Sequence, residues 1–309
     1  MLSSDAVIYS PMPYFSIPSQ TGQAAAEKRR IYYSDQGEGE ILIFLHSWYQ
    51  TGQEAYLPYI EHFCKNYRVI VPDLPGHGKS YRKLNEDFTF EQMTEELVHF
   101  IEHFKEEVGE SVGISLVGSS MGSYLALLMA LNQPQLIENL MLISTMIDFK
   151  VNELEIESML SRSPVVMRAN LLYRAKKKIF PFDAGKSPYW QKQGQAPGWY
   201  QHYRQKTELH DLHDARIYMN LFLKSSLVEE IPKNTHPTLL IYGKRDFLTP
   251  EDFAASLARK MPTAVLRIVD SVGHNLYLTH PEKVIPLLEE FLDENKKRRF
   301  RWLNMFWRR

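Results

Sequence analysis

Two rhythms of apolar residues alternate along this chain. Short, mainly apolar runs stand at residues 41–45, 67–71, 114–117, 140–144, 238–243 and 265–269. Runs of that length, bounded by turn residues, read as strands buried on both faces of a mostly parallel sheet. Between them the spacing widens. Tyr56, Tyr59, Ile60 and Phe63 share one helical face, and Phe90, Met93, Leu97, Ile101, Phe104 and Val108 share another. Further helices are expected over residues 251–260 and 281–292. Residues 30–34 read as an edge strand ahead of the turn signal Gln36-Gly37-Glu38-Gly39. Residues 1–27 are rich in proline and small residues and are expected as an extended arm, because proline removes backbone donors. Strands alternating with helices over the whole length predict an α/β protein with a doubly wound, mostly parallel sheet. One interval breaks the alternation: roughly ninety residues separate the strand at 140–144 from that at 238–243, too long for a plain connection.

The run at 114–117 enters Gly118-Ser119-Ser120-Met121-Gly122, and an apolar helix is expected to leave from Ser123. This is G-x-S-x-G between a strand and a helix, with Ser120 at its centre. So sharp a turn lifts the serine above the sheet edge, and the glycines let neighbouring backbone approach. The helix N-terminus then points N–H groups toward any oxyanion formed there. A serine hydroxyl is a weak nucleophile until a base takes its proton and a carboxylate orients that base. Downstream strand ends offer both, Asp246 in Gly243-Lys244-Arg245-Asp246 and His274 in Gly273-His274-Asn275. Asp148, just past the strand at 140–144, is a rival acid. His46, His77, His210, His213 and His280 lack such a context and read as structural, and Asp73 with His77 reads as a loop-shaping turn.

Together these motifs resemble the α/β-hydrolase family over residues 28–293. His46-Ser47-Trp48 resembles that family's small-residue loop after the third strand. Asp73-Leu74-Pro75-Gly76-His77-Gly78-Lys79-Ser80 matches its acidic turn before the second helix, and Gly273-His274 through Pro281 resembles its histidine loop. The resemblance implies an α/β-hydrolase fold with a helical lid inserted after the sixth strand. Core portions at 28–146 and 235–293 would flank a lid at 147–234. It implies Ser120 as nucleophile, His274 as general base and Asp246 as its orienter, with the backbone N–H groups of Trp48 and Met121 as the oxyanion hole. Ser47 stands where the family usually has glycine, and a serine there restricts the loop or aims a hydroxyl inward. The implied activity is that of a cofactor-independent serine hydrolase cleaving a hydrophobic carboxylic ester through an acyl-enzyme. A thioester, lactone or monoacylglycerol stays open as substrate. C–C bond hydrolysis, acyl transfer and a catalytically silent binding protein are the alternatives.

Composition adds boundaries. The single cysteine, Cys64, excludes an intramolecular disulfide framework, fits a reducing compartment and reads as a small hydrophobe on a helix. The N-terminus carries neither a basic nor an apolar signal region, so a cytoplasmic location is expected. No His/Cys/Asp cluster has metal-ligand spacing and no glycine loop cradles phosphate, so neither metal nor cofactor is expected. The insertion is aromatic and basic, with Tyr173, Lys176-Lys177-Lys178, Trp190 and Trp199, as suits a lid over an apolar acyl pocket. Residues 294–309 form a basic-aromatic tail. From Lys296 onward it holds seven basic residues and no acidic one, against a net charge of −1 for the whole chain. Residues 296–309 are therefore a candidate peripheral contact with the inner surface of an anionic membrane. Nucleic acid is not expected as a partner, since the rest of the chain is acidic. Oligomeric state stays open.

Overall fold

The structure, a computed structural model, describes residues 13–18, 29–48, 50–80, 88–109, 112–148, 217–218, 221–222, 224–246 and 248–306, the side chains only as far as residue 299. Among these residues eight strands form one sheet: β1 (Tyr14–Ser16), β2 (Arg30–Gln36), β3 (Ile41–Leu45), β4 (Arg68–Pro72), β5 (Ile114–Ser119), β6 (Asn139–Ile143), β7 (Thr238–Gly243) and β8 (Ala264–Val269). The spatial order is β1-β2-β4-β3-β5-β6-β7-β8. β1 and β2 pair antiparallel with their neighbours, and every other pairing is parallel. Among the described residues, α-helices with complete bounds pack around the sheet or continue from it: α1 (Gly52–Phe63), α2 (Phe90–Val108), α3 (Met121–Asn132), α4 (Glu251–Lys260), α5 (Leu276–Thr279) and α6 (Pro281–Phe306).

The continuous apolar runs are explained by two cores, one on each face of the sheet. Successive strand side chains point to opposite faces. In β3, Ile41, Ile43 and Leu45 join one core and Leu42 and Phe44 the other, and β6 and β7 divide in the same way. The first core is completed by α2, α3 and α4, the second by α1, α5 and α6. Helix α3 is buried from Met121 to Ala130, which accounts for its lack of a polar face.

Three expectations change. Residues 30–34 are not an edge strand, because Tyr14, Phe15 and Ser16 of the arm pair with Tyr32, Ile31 and Arg30 and take the edge themselves. The elbow helix starts at Met121 rather than Ser123, since the chain turns at Ser120 itself. The helix expected to end at 292 runs on to Phe306. Beyond Pro286 it meets no proline or glycine, and its Glu, Lys and Arg residues are good helix formers. Arg299 bonds Glu138 and Glu40 at 2.7 Å each and Lys296 bonds Glu40 at 3.2 Å, so part of the basic tail is tied to the domain. Cys64 caps the end of α1 and is half-buried. Most of the expected lid lies outside the described residues, including Tyr173, Lys176–178, Trp190 and Trp199. No described helix is long and apolar enough to cross a membrane.

Candidate active site

Strand β5 ends at Ser119, and Ser120 adopts φ 50° and ψ −112° before α3 begins. A serine pays strain in that region of backbone space, so the surroundings must hold it there. They do. The Ser120 N–H donates to the Ile143 carbonyl at 2.8 Å, and the Ser120 carbonyl accepts from Ser123 and Tyr124 N–H at 3.0 and 3.1 Å and from the Ser123 hydroxyl at 2.6 Å. A Cβ on Gly118 would strike the Gly122 backbone, and one on Gly122 would strike the carbonyls of Leu45 and His46. The two glycines of the motif are therefore needed for packing density, so that α3 can sit against β3 and β5.

Asp246 and His274 come from the loops after β7 and β8, and the topology brings both to Ser120. His274 Nε2 lies 3.0 Å from Ser120 Oγ, and His274 Nδ1 lies 2.8 Å from Asp246 Oδ2. With an ionised carboxylate at Nδ1, that nitrogen carries the proton and Nε2 is left to accept from the serine hydroxyl. Asp246 is 2% exposed. Its Oδ1 accepts the Leu248 and Thr249 N–H groups at 2.9 and 3.0 Å, and its Oδ2 also accepts the Thr249 hydroxyl. Burial alone would raise the Asp246 carboxyl pKa, but the His274 charge and hydrogen bond and the Thr249 donors outweigh it and hold it below the ordinary value. The rival Asp148 sits in an isolated bridge opposite Ser226, and it is Asp246 that meets the histidine.

Met121 opens α3, so its N–H has no intrahelical acceptor. Trp48 follows β3 in the loop His46-Ser47-Trp48. That loop is fixed from beneath. His46 is fully buried; its Nε2 accepts the Leu74 N–H at 2.9 Å and its Nδ1–H donates to the Ser47 carbonyl at 2.8 Å. Ser47 N–H donates to Gln50 Oε1 at 3.2 Å. Asp73 accepts the N–H groups of Gly52 and Lys79 at 2.7 and 2.8 Å, the loop-shaping role expected of it. The Trp48 indole packs at 5.7 Å against Tyr218 and at 5.5 Å against Phe222, both from the far end of the long insertion. Tyr218 also meets His77 at 5.0 Å and Phe222 meets Phe90 at 5.3 Å. His210 and His213 lie outside the described residues. Sequence reasoning missed Thr249 and Gln50, although Thr249 is legible in hindsight as a hydroxyl three residues after the acid.

Sheet order, elbow and the site at the strand C-termini define a class, and comparison with known proteins places the chain in it. A model of the alpha/beta hydrolase family matches residues 42–287, and the chain belongs to that family. The (E)-2-((N-methylformamido)methylene)succinate hydrolase of Acinetobacter baylyi is 46% identical over 55 residues, and the match covers 18% of this chain and only 20% of that protein's length. An esterase from Thermogutta terrifontis superposes with a TM-score of 0.69 at 20% identity, covering 93% of this chain and 99% of that one. The enol-lactonase of Burkholderia xenovorans LB400 superposes with a TM-score of 0.69 at 19% identity, covering 85% and 96%. At those identities the two structures speak to fold alone.

Proposed function

We propose that the protein is a serine hydrolase that cleaves a hydrophobic carboxylic ester through an acyl-enzyme on Ser120, His274 and Asp246. The observation that carries this reading is the aligned pair of contacts from Ser120 Oγ to His274 Nε2 and from His274 Nδ1 to Asp246. Ser120 Oγ attacks the ester carbonyl carbon as its proton passes to His274 Nε2. The carbonyl oxygen becomes an oxyanion facing the N–H groups of Met121 and Trp48. Asp246 stays ionised and steadies the imidazolium. His274 then gives its proton to the departing alcohol oxygen, leaving the acyl group on Ser120. A water, deprotonated by His274, attacks the acyl carbon, and the carboxylic acid leaves as Ser120 recovers its proton.

An apolar acyl group is favoured by the aromatic wall of Trp48, Tyr218, Phe222 and Phe90 beside the oxyanion loop. In this reading residues 147–234 cover the site and exclude water from it. The test is steady-state hydrolysis of p-nitrophenyl esters of increasing acyl length by wild type, Ser120→Ala and His274→Ala. Rates that rise with chain length in wild type and collapse in both variants support it. A folded wild type inert toward every ester, or a Ser120→Ala protein that keeps its rate, overturns it.

A further inference from the structure

Three segments meet at Ser120: the loop after β3, the elbow after β5 and the histidine loop after β8. Beneath them lies a buried group that the reaction above does not use. Tyr277 stands three residues beyond His274, on α5, and is fully buried. Its phenol hydroxyl donates to Gln50 Oε1. Gln50 Oε1 is the same atom that accepts the Ser47 N–H. One hydroxyl thus holds the amide that in turn holds Ser47, the residue before Trp48, while its own chain carries His274.

The surroundings reinforce the junction. Tyr56, also fully buried, donates to the Leu45 carbonyl at 3.0 Å and meets Ser119 Oγ at 2.7 Å. Tyr59 donates to the Tyr277 carbonyl at 2.8 Å. Burial pushes the Tyr277 phenol well above its ordinary pKa, so it remains a neutral donor at any pH the enzyme meets. The orientation of the Gln50 amide is dictated too. An N–H group at Ser47 admits only an acceptor, so the amide oxygen faces it and Nε2 points away. That nitrogen is buried and finds no partner among the described residues. An orphaned buried donor is unfavourable, and the two bonds that the oxygen accepts, from the Ser47 N–H and the Tyr277 hydroxyl, offset it.

We propose that Tyr277 is a positioning residue: through Gln50 and Ser47 its hydroxyl fixes the oxyanion loop, and with it the Trp48 N–H, in register with Ser120. The inference rests on the serine-hydrolase reading. Removing the hydroxyl leaves the triad bonds intact and loosens only the loop that meets the oxyanion, so the loss belongs to the transition state.

The test is Tyr277→Phe, followed by kcat and KM on an ester, the rate of fluorophosphonate labelling, the affinity of a trifluoromethyl ketone and the thermal midpoint. A displaced donor is expected to lower kcat and the labelling rate by about a hundredfold. Affinity for the ketone, which forms an oxyanion on the serine, should fall in parallel, while KM and the shape of the pH profile hold. Gln50→Met removes the acceptor from the other side of the same bond and carries the same expectation if Tyr277→Phe does not accumulate as folded protein. Labelling of wild type and both variants at one rate overturns the proposal, as does a loss shared equally by KM and ketone affinity. An unlabelled wild type strikes instead at the serine-hydrolase reading beneath it.

Discussion

His46 offers a prediction whose size follows from the structure. The ring has no exposure, and both nitrogens are committed: Nε2 accepts from Leu74 N–H and Nδ1–H donates to the Ser47 carbonyl. A second proton would have to enter where Leu74 N–H already points. Burial pushes the His46 pKa from 6.5 down to about 4. In the unfolded chain the ring titrates near its ordinary value, so as pH falls the unfolded state takes the proton first. Stability contributed by the neutral ring is therefore complete above about pH 6.5 and is lost progressively as pH falls toward 4. Each pH unit costs at most about 1.4 kcal/mol, and the whole interval about 3 kcal/mol. The assay is urea unfolding followed by tryptophan fluorescence at intervals from pH 7 to 4, on wild type and His46→Gln. The variant is less stable at pH 7, having lost ring packing, but it lacks the titration. The gap between the two proteins should close by about 3 kcal/mol across the interval. His236 and His280, whose pKa values burial also lowers, are present in both proteins and cancel. A gap that stays constant with pH would refute the reasoning, because His46 would then titrate alike folded and unfolded.

Thr249→Val removes the hydroxyl from Asp246 Oδ2 and leaves both N–H donors in place. The carboxyl pKa should rise, so the acid-side loss of activity should begin at higher pH than in wild type, as read from kcat/KM profiles. Gly122→Ala drives a methyl group into the Leu45 and His46 carbonyls, and denaturant titration should show a loss of about 1–3 kcal/mol with slower fluorophosphonate labelling. Removing residues 300–309 keeps the Lys296 and Arg299 bonds to Glu40 and Glu138 and should reduce co-sedimentation with anionic liposomes; equal pelleting would sink the membrane contact. Glu40 and Glu138 precede β3 and β6, so the tail leaves the domain at the strand N-termini, opposite Ser120. A membrane held there would leave the active site facing away.

How much of this was legible in the chain depends on the range of the forces involved. The strand at 238–243 and the helix at 251–260 stand where the apolar pattern puts them, because burial on both faces demands an uninterrupted run and Pro250 starts the helix. Gly118 and Gly122 were legible because the close approach of α3 to the sheet is local. β1 was not: three residues, alternately exposed, gain strand structure only from β2, and no periodicity marks them. The choice between Asp148 and Asp246 was also tertiary, since both follow strands and only the loop geometry decides which reaches His274. Tyr277 hid for a similar reason. Between Leu276 and Leu278 it looks like core, and its hydroxyl acquires meaning only when Gln50 arrives from a distant segment. The length of α6 was hidden because its charged residues after 292 carry no apolar period, and only the tertiary bonds of Lys296 and Arg299 tie that stretch to the domain.

The most direct measurement on the central proposal is intact mass after treating the folded protein and its Ser120→Ala variant with a fluorophosphonate. An activated serine at the elbow predicts one adduct on the wild type, at Ser120, and none on the variant. A folded wild type that takes no adduct, or a variant that takes the same one, would contradict it.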